Sequence, residues 1–199
     1  MTNEPTARQA MDRRVFVATL MSLIPDALVV TGLGSASYDV YAAGDRDLNY
    51  YLWGGMGGAA PMGLGLALAQ PGRSVVVVTG DGEMLMGMGS LATIAAKQAK
   101  NLSLVVLDNG RYGETGMQRS HAGLGTDLVA VAKGCGITQA WDVEDLSACE
   151  SLARRIRARE GTVFVRALIQ ASEPARALPP RDGPFIKNRL RVALGLCSL

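Results

Sequence analysis

The stretch VVVVTGDGEMLMGMGSLATIAAKQAKNLSLVVLDNGRYGETG, residues 75–116, decides the fold. A β-branched run from Val75 to Thr79 ends in Gly-Asp-Gly, and a second apolar run from Leu102 to Leu107 ends in Asp-Asn-Gly. Strand, helix and strand within about 30 residues predict a right-handed crossover, in which the two strands are parallel and adjacent. Their carboxyl ends then share one edge of the sheet, so Asp81 and Asn109 are expected to lie side by side.

The two strand tips carry hard oxygen ligands. A carboxylate at Asp81, an amide oxygen at Asn109 and nearby backbone carbonyls suit Mg²⁺, which also takes oxygens from phosphate groups. Gly80, Gly82 and Gly110 leave backbone N–H groups free to face such phosphates. Either motif alone is also a good turn sequence. Both tips at the spacing of one crossover favour a magnesium-diphosphate site.

The rest of the chain continues the alternation of strands and helices. Further strands are predicted at residues 27–34 and 161–169, with a polar connection at 45–52 and a glycine-rich loop that leads into a helix of small residues at 54–70. Helices are predicted at residues 6–23, 88–99, 128–134 and 146–159, and a helix or turn at 35–44. In the first helix Val15, Phe16, Thr19, Leu20 and Leu23 are expected on one side.

This alternation predicts an α/β fold of three layers, α/β/α, with a mainly parallel sheet covered on both faces. We expect one domain over residues 1–199, with a helical arm at about 1–25 and a tail at about 172–199 that could wrap a neighbouring molecule. Met84, Met86 and Met88 are expected mainly in the core, and a surface that awaits a partner is the alternative.

Composition excludes several classes of function. The net charge of +2 and the 5% aromatic content do not favour nucleic-acid binding. No run is apolar for the ~20 residues that a membrane helix needs. The N-terminus does not resemble a signal peptide, and Cys135, Cys149 and Cys197 lack the spacing of metal ligands. We therefore expect a cytoplasmic protein with ordinary buried thiols and no membrane partner.

The two tips and their surroundings resemble a known family. Residues 80–116 resemble the motif of thiamine diphosphate-dependent enzymes, which opens with Gly-Asp-Gly and closes with an Asn-Asn or similar pair. GGMGGAAPMGLGLALA, residues 54–69, matches the glycine-methionine-glycine segment that precedes the motif in these enzymes. DNGRYGETGMQRSH, residues 108–121, further resembles the β subunits of sulfopyruvate decarboxylase and the C-terminal part of phosphonopyruvate decarboxylase.

The resemblance implies a role for particular residues. Asp81 and Asn109 match side-chain ligands of Mg²⁺, and the backbone carbonyl of Arg111 matches the third protein ligand. Met56 matches the residue that holds thiamine diphosphate in its bent V conformation, while backbone near Gly54 and Met56 matches the edge that binds the aminopyrimidine. Further contacts to the cofactor are implied for Gly32, Gly34, Ser35, Gly80, Gly82, Glu83, Tyr112 and Gly113.

Two positions depart from the family pattern. The first residue of the paired asparagines is Asp108 here, which is a common variant. Glu83 brings a carboxylate to a position where small or neutral residues are frequent. So close to a diphosphate, its side chain must point away or pair with a cation.

The resemblance also implies that a second polypeptide supplies part of the active site. In this family the catalytic glutamate that protonates the aminopyrimidine belongs to a separate pyrimidine-binding domain, and nothing in the 199 residues resembles that domain. We expect a partner subunit that carries the glutamate, in an assembly such as α2β2. The implied reaction is non-oxidative decarboxylation of a 2-oxo acid to an aldehyde.

An anionic substrate tail, sulfonate or phosphonate, requires basic or amide donors. Arg111, Gln118, Arg119 and His121 follow the magnesium loop and are candidates, with His121 also a candidate catalytic residue. Alternatives remain: an acetolactate-synthase-like carboligase subunit, or a non-catalytic scaffold that binds thiamine diphosphate. A nicotinamide-dependent oxidoreductase is disfavoured, because VVTGLGSAS at residues 29–37 lacks the third glycine and the downstream acidic residue of the dinucleotide fingerprint.

Overall fold

We analysed a computed structural model of the chain, which describes residues 10–196. The strands are β1 (Leu28–Thr31), β2 (Asn49–Tyr51), β3 (Val75–Gly80), β4 (Leu102–Asp108), β5 (Arg111–Tyr112), β6 (Gln118–Arg119), β7 (Gln139–Val143) and β8 (Val163–Leu168). The α-helices are α1 (Arg13–Leu23), α2 (Ser35–Ala42), α3 (Ala59–Ala69), α4 (Asp81–Met86), α5 (Ser90–Lys97), α6 (Leu128–Gly134), α7 (Ala148–Ala158) and α8 (Gly183–Ala193).

The main sheet has six parallel strands in the order β2-β1-β3-β4-β8-β7. β3 and β4 are neighbours, with Gly80 opposite Leu107, so the predicted crossover is confirmed. The central strands are buried on both faces, and one apolar cluster lies on each side of the sheet. This is the three-layer α/β/α fold that the sequence predicts.

The helix α1 begins where a side chain caps it. Asp12 accepts a hydrogen bond from the backbone N–H of Val15, which stabilises the first turn. Residues 6–9 of the predicted helix lie outside the described residues. The predicted apolar face was partly wrong: Phe16 and Leu20 are buried, but Val15 is exposed. Residues 17 and 21 take its place in the stripe that packs on the core.

Four strands and two helices were missed from the sequence: β2, β5, β6 and β7, and the helices α4 and α8. β2 lies inside the predicted polar connection, and β7 has too few β-branched residues to stand out. The turn expected after β3 is instead the first turn of α4, where Asp81 follows the extended Gly80. The predicted last strand, β8, lies inside the sheet between β4 and β7.

The tail returns onto its own chain. The described part beyond residue 172 crosses the carboxyl edge of the sheet and forms α8, which is capped by Asp182. Arg189 on α8 donates to the carboxylate of Asp45 and to the backbone carbonyl of Asn49. The tail thus covers the edge strand β2 of its own sheet, where the sequence suggested a neighbouring molecule.

Two further expectations from the sequence concern the burial of the cysteines and the lack of a membrane-spanning helix. Cys149 is buried and Cys135 is half-buried, while Cys197 lies outside the described residues. Between residues 10 and 196, no helix has both the length and the apolar character to cross a membrane.

Candidate functional site

A cavity of about 160 Å³ opens at the carboxyl edge of the sheet, over the ends of β1, β3 and β4. Parallel strands direct their carboxyl ends to one edge, which is where open α/β sheets bind ligands. The cavity is lined by Arg13, Leu33, Ser35, Ala36, Met56, Gly80, Asp81, Gly82, Glu83, Leu107, Asn109, Arg111, Tyr112, Gly113, Glu114 and Thr115.

Asp81 is a buried carboxylate at the start of α4. Burial raises its pKa to about 6, against hydrogen bonds from the hydroxyl of Ser120 and from the backbone N–H of Asn109 that lower it. Ser120 is fully buried and its hydroxyl donates to Oδ2 of Asp81. Sequence reasoning missed this contact although Ser120 lies within the quoted segment 108–121, because 39 residues separate it from Asp81.

The loop after β4 turns sharply through Asp108, Asn109 and Gly110. Oδ1 of Asp108 accepts from the N–H of Gly110 at 2.8 Å, and Oδ1 of Asn109 accepts from the N–H of Arg111 at 2.9 Å. Gly110 has a φ of +66°, which favours glycine. Burial raises the pKa of Asp108, whose carboxylate lies 3.9 Å from the guanidinium of Arg166. Asn109 therefore faces the cavity, while Asp108 braces the turn.

The next residues form a small antiparallel hairpin from β5 and β6. Its Tyr112 covers Gly82, because a Cβ atom at Gly82 would lie 2.5 Å from the Tyr112 ring. The hydroxyl of Tyr112 lies 3.4 Å from Nδ1 of His121, which is exposed and does not line the cavity. The guanidinium of Arg111 donates to the carbonyl of Met117 at 2.9 Å and fixes the hairpin.

The side chain of Glu83 turns inward at the edge of the cavity. It is buried, and Oε2 accepts from the hydroxyl of Thr79 at 2.9 Å and from the N–H of Leu33 at 2.8 Å. A Cβ atom at Gly32 would lie 1.8 Å from this oxygen. Gly32 is therefore required by the Glu83 side chain, and of the two possibilities for Glu83 the inward orientation is the one observed.

The glycine-rich loop, residues 54–58, brings Met56 to the cavity mouth. Met56 is 36% exposed and lines the cavity, whereas Gly54 does not. The backbone of Gly57 packs against Gly87, where a Cβ atom would lie 2.3 Å from the Gly57 carbonyl. Met84 is buried as expected, but Met86 is 65% exposed and Met88 is 36% exposed, which corrects the prediction of core positions for these two.

A buried cluster of charge, which sequence reasoning missed, lies beside the cavity. Asp39 on α2 accepts from Nε of Arg13 at 2.7 Å and from Nε of Arg14 at 2.6 Å. Asp39 and Arg13 are almost fully buried, and burial raises the pKa of Asp39 although both guanidiniums lower it. The cluster carries one net positive charge next to residues that line the cavity. The sequence signal was the Asp-Arg-Arg run at residues 12–14.

A strap formed by residues 172–182 lies along the same edge. Arg176 forms an ion pair with Glu114 at 3.2 Å, and the indole N–H of Trp53 donates to the carbonyl of Pro180 at 2.6 Å. Arg14 donates to the carbonyl of Ala175 at 2.8 Å. The strap thereby joins the loops that carry Met56 and Glu114 to helix α1.

Most predicted site residues meet at one cavity. Ten of them line it: Ser35, Met56, Gly80, Asp81, Gly82, Glu83, Asn109, Arg111, Tyr112 and Gly113. Gly32, Gly34, Gly54 and His121 do not. Gly34 has a φ of +76° and packs against Glu114. The cofactor and metal roles of all these residues remain predictions.

The residues of the cavity fit a magnesium-diphosphate group by their chemistry. The carboxylate of Asp81 and the side chain of Asn109 both belong to residues that line the cavity. Between residues 10 and 196 no group of three or more His, Cys, Asp or Glu could hold a metal, which leaves mixed carboxylate, amide and carbonyl donors. Such hard oxygen donors suit Mg²⁺ with part of its shell from phosphate.

Comparison with known proteins agrees with this geometry. Residues 32–167 match the model of a family described as thiamine pyrophosphate enzyme, C-terminal TPP binding domain. The chain belongs to this family. The family match begins just after β1 and contains β3, β4 and every predicted site residue, so most of the cavity lining lies within the matched range.

Relatives extend the comparison. Sulfopyruvate decarboxylase subunit beta of Methanocaldococcus jannaschii is 46% identical over 110 residues, 55% of this chain and 58% of the relative. Phosphonopyruvate decarboxylase of Streptomyces viridochromogenes is 42% identical over 169 residues, 83% of this chain and 40% of the relative. The chain thus spans about half the length of these relatives. The crystal structure of benzoylformate decarboxylase from Polynucleobacter necessarius shares the fold, with a TM-score of 0.70, 22% identity, and coverage of 87% of this chain and 36% of that chain.

Proposed function

We propose that the chain is a subunit of a thiamine diphosphate- and Mg²⁺-dependent 2-oxo acid decarboxylase that acts on an anionic substrate of the sulfopyruvate or phosphonopyruvate type. The observation that carries the proposal is the meeting of Asp81 and Asn109 at one cavity inside the family domain. The relatives named as sulfopyruvate and phosphonopyruvate decarboxylases support the substrate class.

In this proposal the chain holds the diphosphate end of the cofactor. Asp81, Asn109 and the carbonyl of Arg111 bind Mg²⁺, and backbone N–H groups at Gly82 and Glu83 face the diphosphate at the start of α4. Met56 supports the bent cofactor at the cavity mouth. The bound cofactor supplies an electron sink for decarboxylation, and the protein supplies orientation and exclusion of water.

A second polypeptide completes the proposed active site. One relative is named as a subunit beta, which supports a separate partner. Met56 lines the cavity and is partly exposed, so an apolar contact with a partner there would exclude water. We propose that the partner is a pyrimidine-binding subunit with the catalytic glutamate, in an α2β2 or larger assembly.

The anionic substrate tail needs donors near the cavity. Arg111 lines the cavity, and Gln118, Arg119 and His121 lie on the adjoining hairpin and the turn after it. Each arginine uses one guanidinium N–H on a backbone carbonyl, Met117 for Arg111 and Gly123 for Arg119, and carries five in all. We propose these four residues as the tail-binding set, with Arg111 the best placed.

Calorimetric titration with thiamine diphosphate tests the cofactor site. The purified chain is titrated with and without Mg²⁺, alone and with its co-purifying partner. We expect binding that requires Mg²⁺ and strengthens with the partner. Absence of binding under all four conditions would reject the proposed site.

Turnover distinguishes the remaining alternatives. The assembled protein is given sulfopyruvate, phosphonopyruvate and pyruvate, and the products are measured as carbon dioxide, aldehyde and acetolactate. Aldehyde from an anionic 2-oxo acid supports the decarboxylase. Acetolactate from pyruvate would identify a carboligase, and bound cofactor without any turnover would identify a scaffold subunit.

A further inference from the structure

The buried carboxylate of Glu83 lies where three segments of the site meet. Its Oε2 accepts from the hydroxyl of Thr79, at the end of β3, and from the N–H of Leu33, just after β1. The missing side chain at Gly32 makes room for this oxygen, which would lie 1.8 Å from a Cβ atom there. The backbone around β1 and β3 is therefore built to receive this carboxylate.

The second oxygen of Glu83 lacks a partner. Oε1 is buried and has no hydrogen bond among the described residues. Burial raises the pKa of the Glu83 carboxyl, while the nearby N–H groups of Ala59 and Gly57 lower it. These N–H groups attract the carboxylate electrostatically but do not reach hydrogen-bonding geometry. A buried polar atom without a partner costs free energy, so a small approach of the loop would be favourable.

The helix that follows the loop, α3, lacks a side-chain acceptor for the N–H groups at its start. α3 begins at Ala59, and its N-cap residue Gly58 offers no side-chain cap. The first N–H groups of a helix lack partners within the helix, and a negative charge near them is stabilising. Glu83 Oε1 supplies such a charge from another part of the chain.

The loop has room to move at Gly54 and Gly55, while Gly57 stays in contact with Gly87. Gly55 and Gly57 have φ values of +67° and +89°, and nothing lies within 4 Å of the Cβ positions at Gly54 and Gly55. Glycine residues in this region of φ carry little steric cost on moving. Met56 lies between them and follows any movement of the loop.

We propose that Glu83 is a positioning residue whose Oε1 accepts hydrogen bonds from Gly57 and Ala59 when the glycine-rich loop closes over bound thiamine diphosphate, and so fixes Met56 beneath the cofactor. The inference rests on the proposed cofactor site. Closure gives Oε1 and the start of α3 their missing partners, so loop closure and cofactor binding favour each other.

Glu83→Gln tests the proposal. The shape is kept, but an amide has one acceptor oxygen, so either the loop N–H groups or the N–H of Leu33 meet an NH2 group. Hydrogen exchange is measured for residues 53–60 and 27–34, with and without thiamine diphosphate and Mg²⁺, alongside calorimetric affinity and thermal unfolding. Glu150→Gln, an exposed glutamate on α7, is the matched control.

We expect cofactor to slow exchange at residues 57–59 in the wild type and in the control, and not in Glu83→Gln. Affinity for thiamine diphosphate is expected to fall roughly tenfold, the scale of one unmade hydrogen bond to a charged group. Without cofactor, the loop of the variant is expected to exchange faster than in the wild type, while the midpoint of unfolding is retained.

Gly32→Ala is the second variant, because it displaces the carboxylate without removing its charge. The same loss of the loop response is expected. Wild-type loop exchange and affinity in Glu83→Gln would overturn the proposal, as would a lowered unfolding midpoint with unchanged affinity. If the wild type binds no cofactor, the proposed function fails and this inference with it. If the wild type binds cofactor without slower exchange at residues 57–59, this inference is overturned while the proposed function stands.

Discussion

The two edges of the parallel sheet differ in which charged side chains they carry and in how deeply these are buried. At the carboxyl edge Asp39, Asp81, Glu83 and Asp108 are buried, and burial raises the pKa of each. At the amino edge four arginines donate to backbone carbonyls, and three of them line a hollow of about 330 Å³. These pairs are Arg46 with Pro25, Arg73 with Asp26, Arg157 with Leu23 and Arg159 with Gly72.

The direction of the helices explains the difference. Helices that connect parallel strands run against them, so helix N-termini gather at the carboxyl edge and C-termini at the amino edge. Helix N-termini present N–H groups that accept anions, and C-termini present carbonyls that accept cations. The amino-edge arginines 157 and 159 are exposed and cap helix ends, whereas the carboxyl-edge carboxylates are buried at a cost. Burial of charge therefore distinguishes a candidate site from ordinary capping in this fold.

Among the variants considered, Asp81→Ala is expected to have the largest effect, which is a loss of cofactor affinity at the carboxyl edge. It removes the one carboxylate among the proposed Mg²⁺ ligands, so binding of thiamine diphosphate in the presence of Mg²⁺ is expected to weaken by at least about 1000-fold, or ~4 kcal/mol. Calorimetric titration measures the loss. The matched control is Asp26→Ala at the amino edge, which should bind like the wild type; unchanged affinity in Asp81→Ala would reject the metal assignment.

Arg13→Met is expected to destabilise the fold. It leaves the buried Asp39 with only the guanidinium of Arg14, and removal of one partner from a buried ion pair costs about 3 kcal/mol. Urea unfolding followed by circular dichroism measures the change in the free energy of unfolding. Exposed ion pairs contribute up to ~1 kcal/mol to stability. A loss below this value would mean that Asp39 is stabilised without Arg13.

Met56→Ala is expected to separate activity from folding. Met56 is 36% exposed, so the free energy of unfolding should change by less than ~0.5 kcal/mol, as for other surface positions. If it supports the cofactor, the turnover rate of the assembled enzyme should fall about tenfold or more, which is ~1.4 kcal/mol in the barrier. Met86→Ala, a more exposed methionine nearby, is the control; equal activity of both variants would remove the special role of Met56.

Arg157→Ala at the amino edge is expected to have the smallest effect. The guanidinium is exposed and donates to the carbonyl of Leu23 at the end of α1, a contact worth at most about 0.5–1 kcal/mol. Cofactor affinity should not change. A loss of cofactor binding in this variant would contradict the division between the two edges.

The sequence predicted the central part of the site well, because local patterns encode it. β-branched runs that end in Gly-Asp-Gly and Asp-Asn-Gly fix both the crossover and the edge at which Asp81 and Asn109 meet. The contacts that orient these groups were not predicted. Ser120 reaches Asp81, and Leu33 reaches Glu83, across 39 and 50 residues, and no local pattern marks such a pair.

The strands and helix at the edges of the sheet were also not predicted, because local sequence patterns do not encode them. β2 and β7 are short, mixed strands whose position depends on neighbours, and α8 covers β2 through Arg189 from 140 residues away. The exposure of Met86 likewise depends on which face of α4 the sheet covers.

The sequence by itself determined the fold class, the crossover between β3 and β4 and the family motif, because strand propensity, turn residues and spacing act over short stretches of chain. Only the tertiary structure decided that Glu83 turns inward over Gly32, that Arg13 and Arg14 share Asp39, and that the tail returns to its own sheet edge. The physical reason is that these contacts depend on burial and packing between distant segments, and each charged group takes the partner that packing brings within reach.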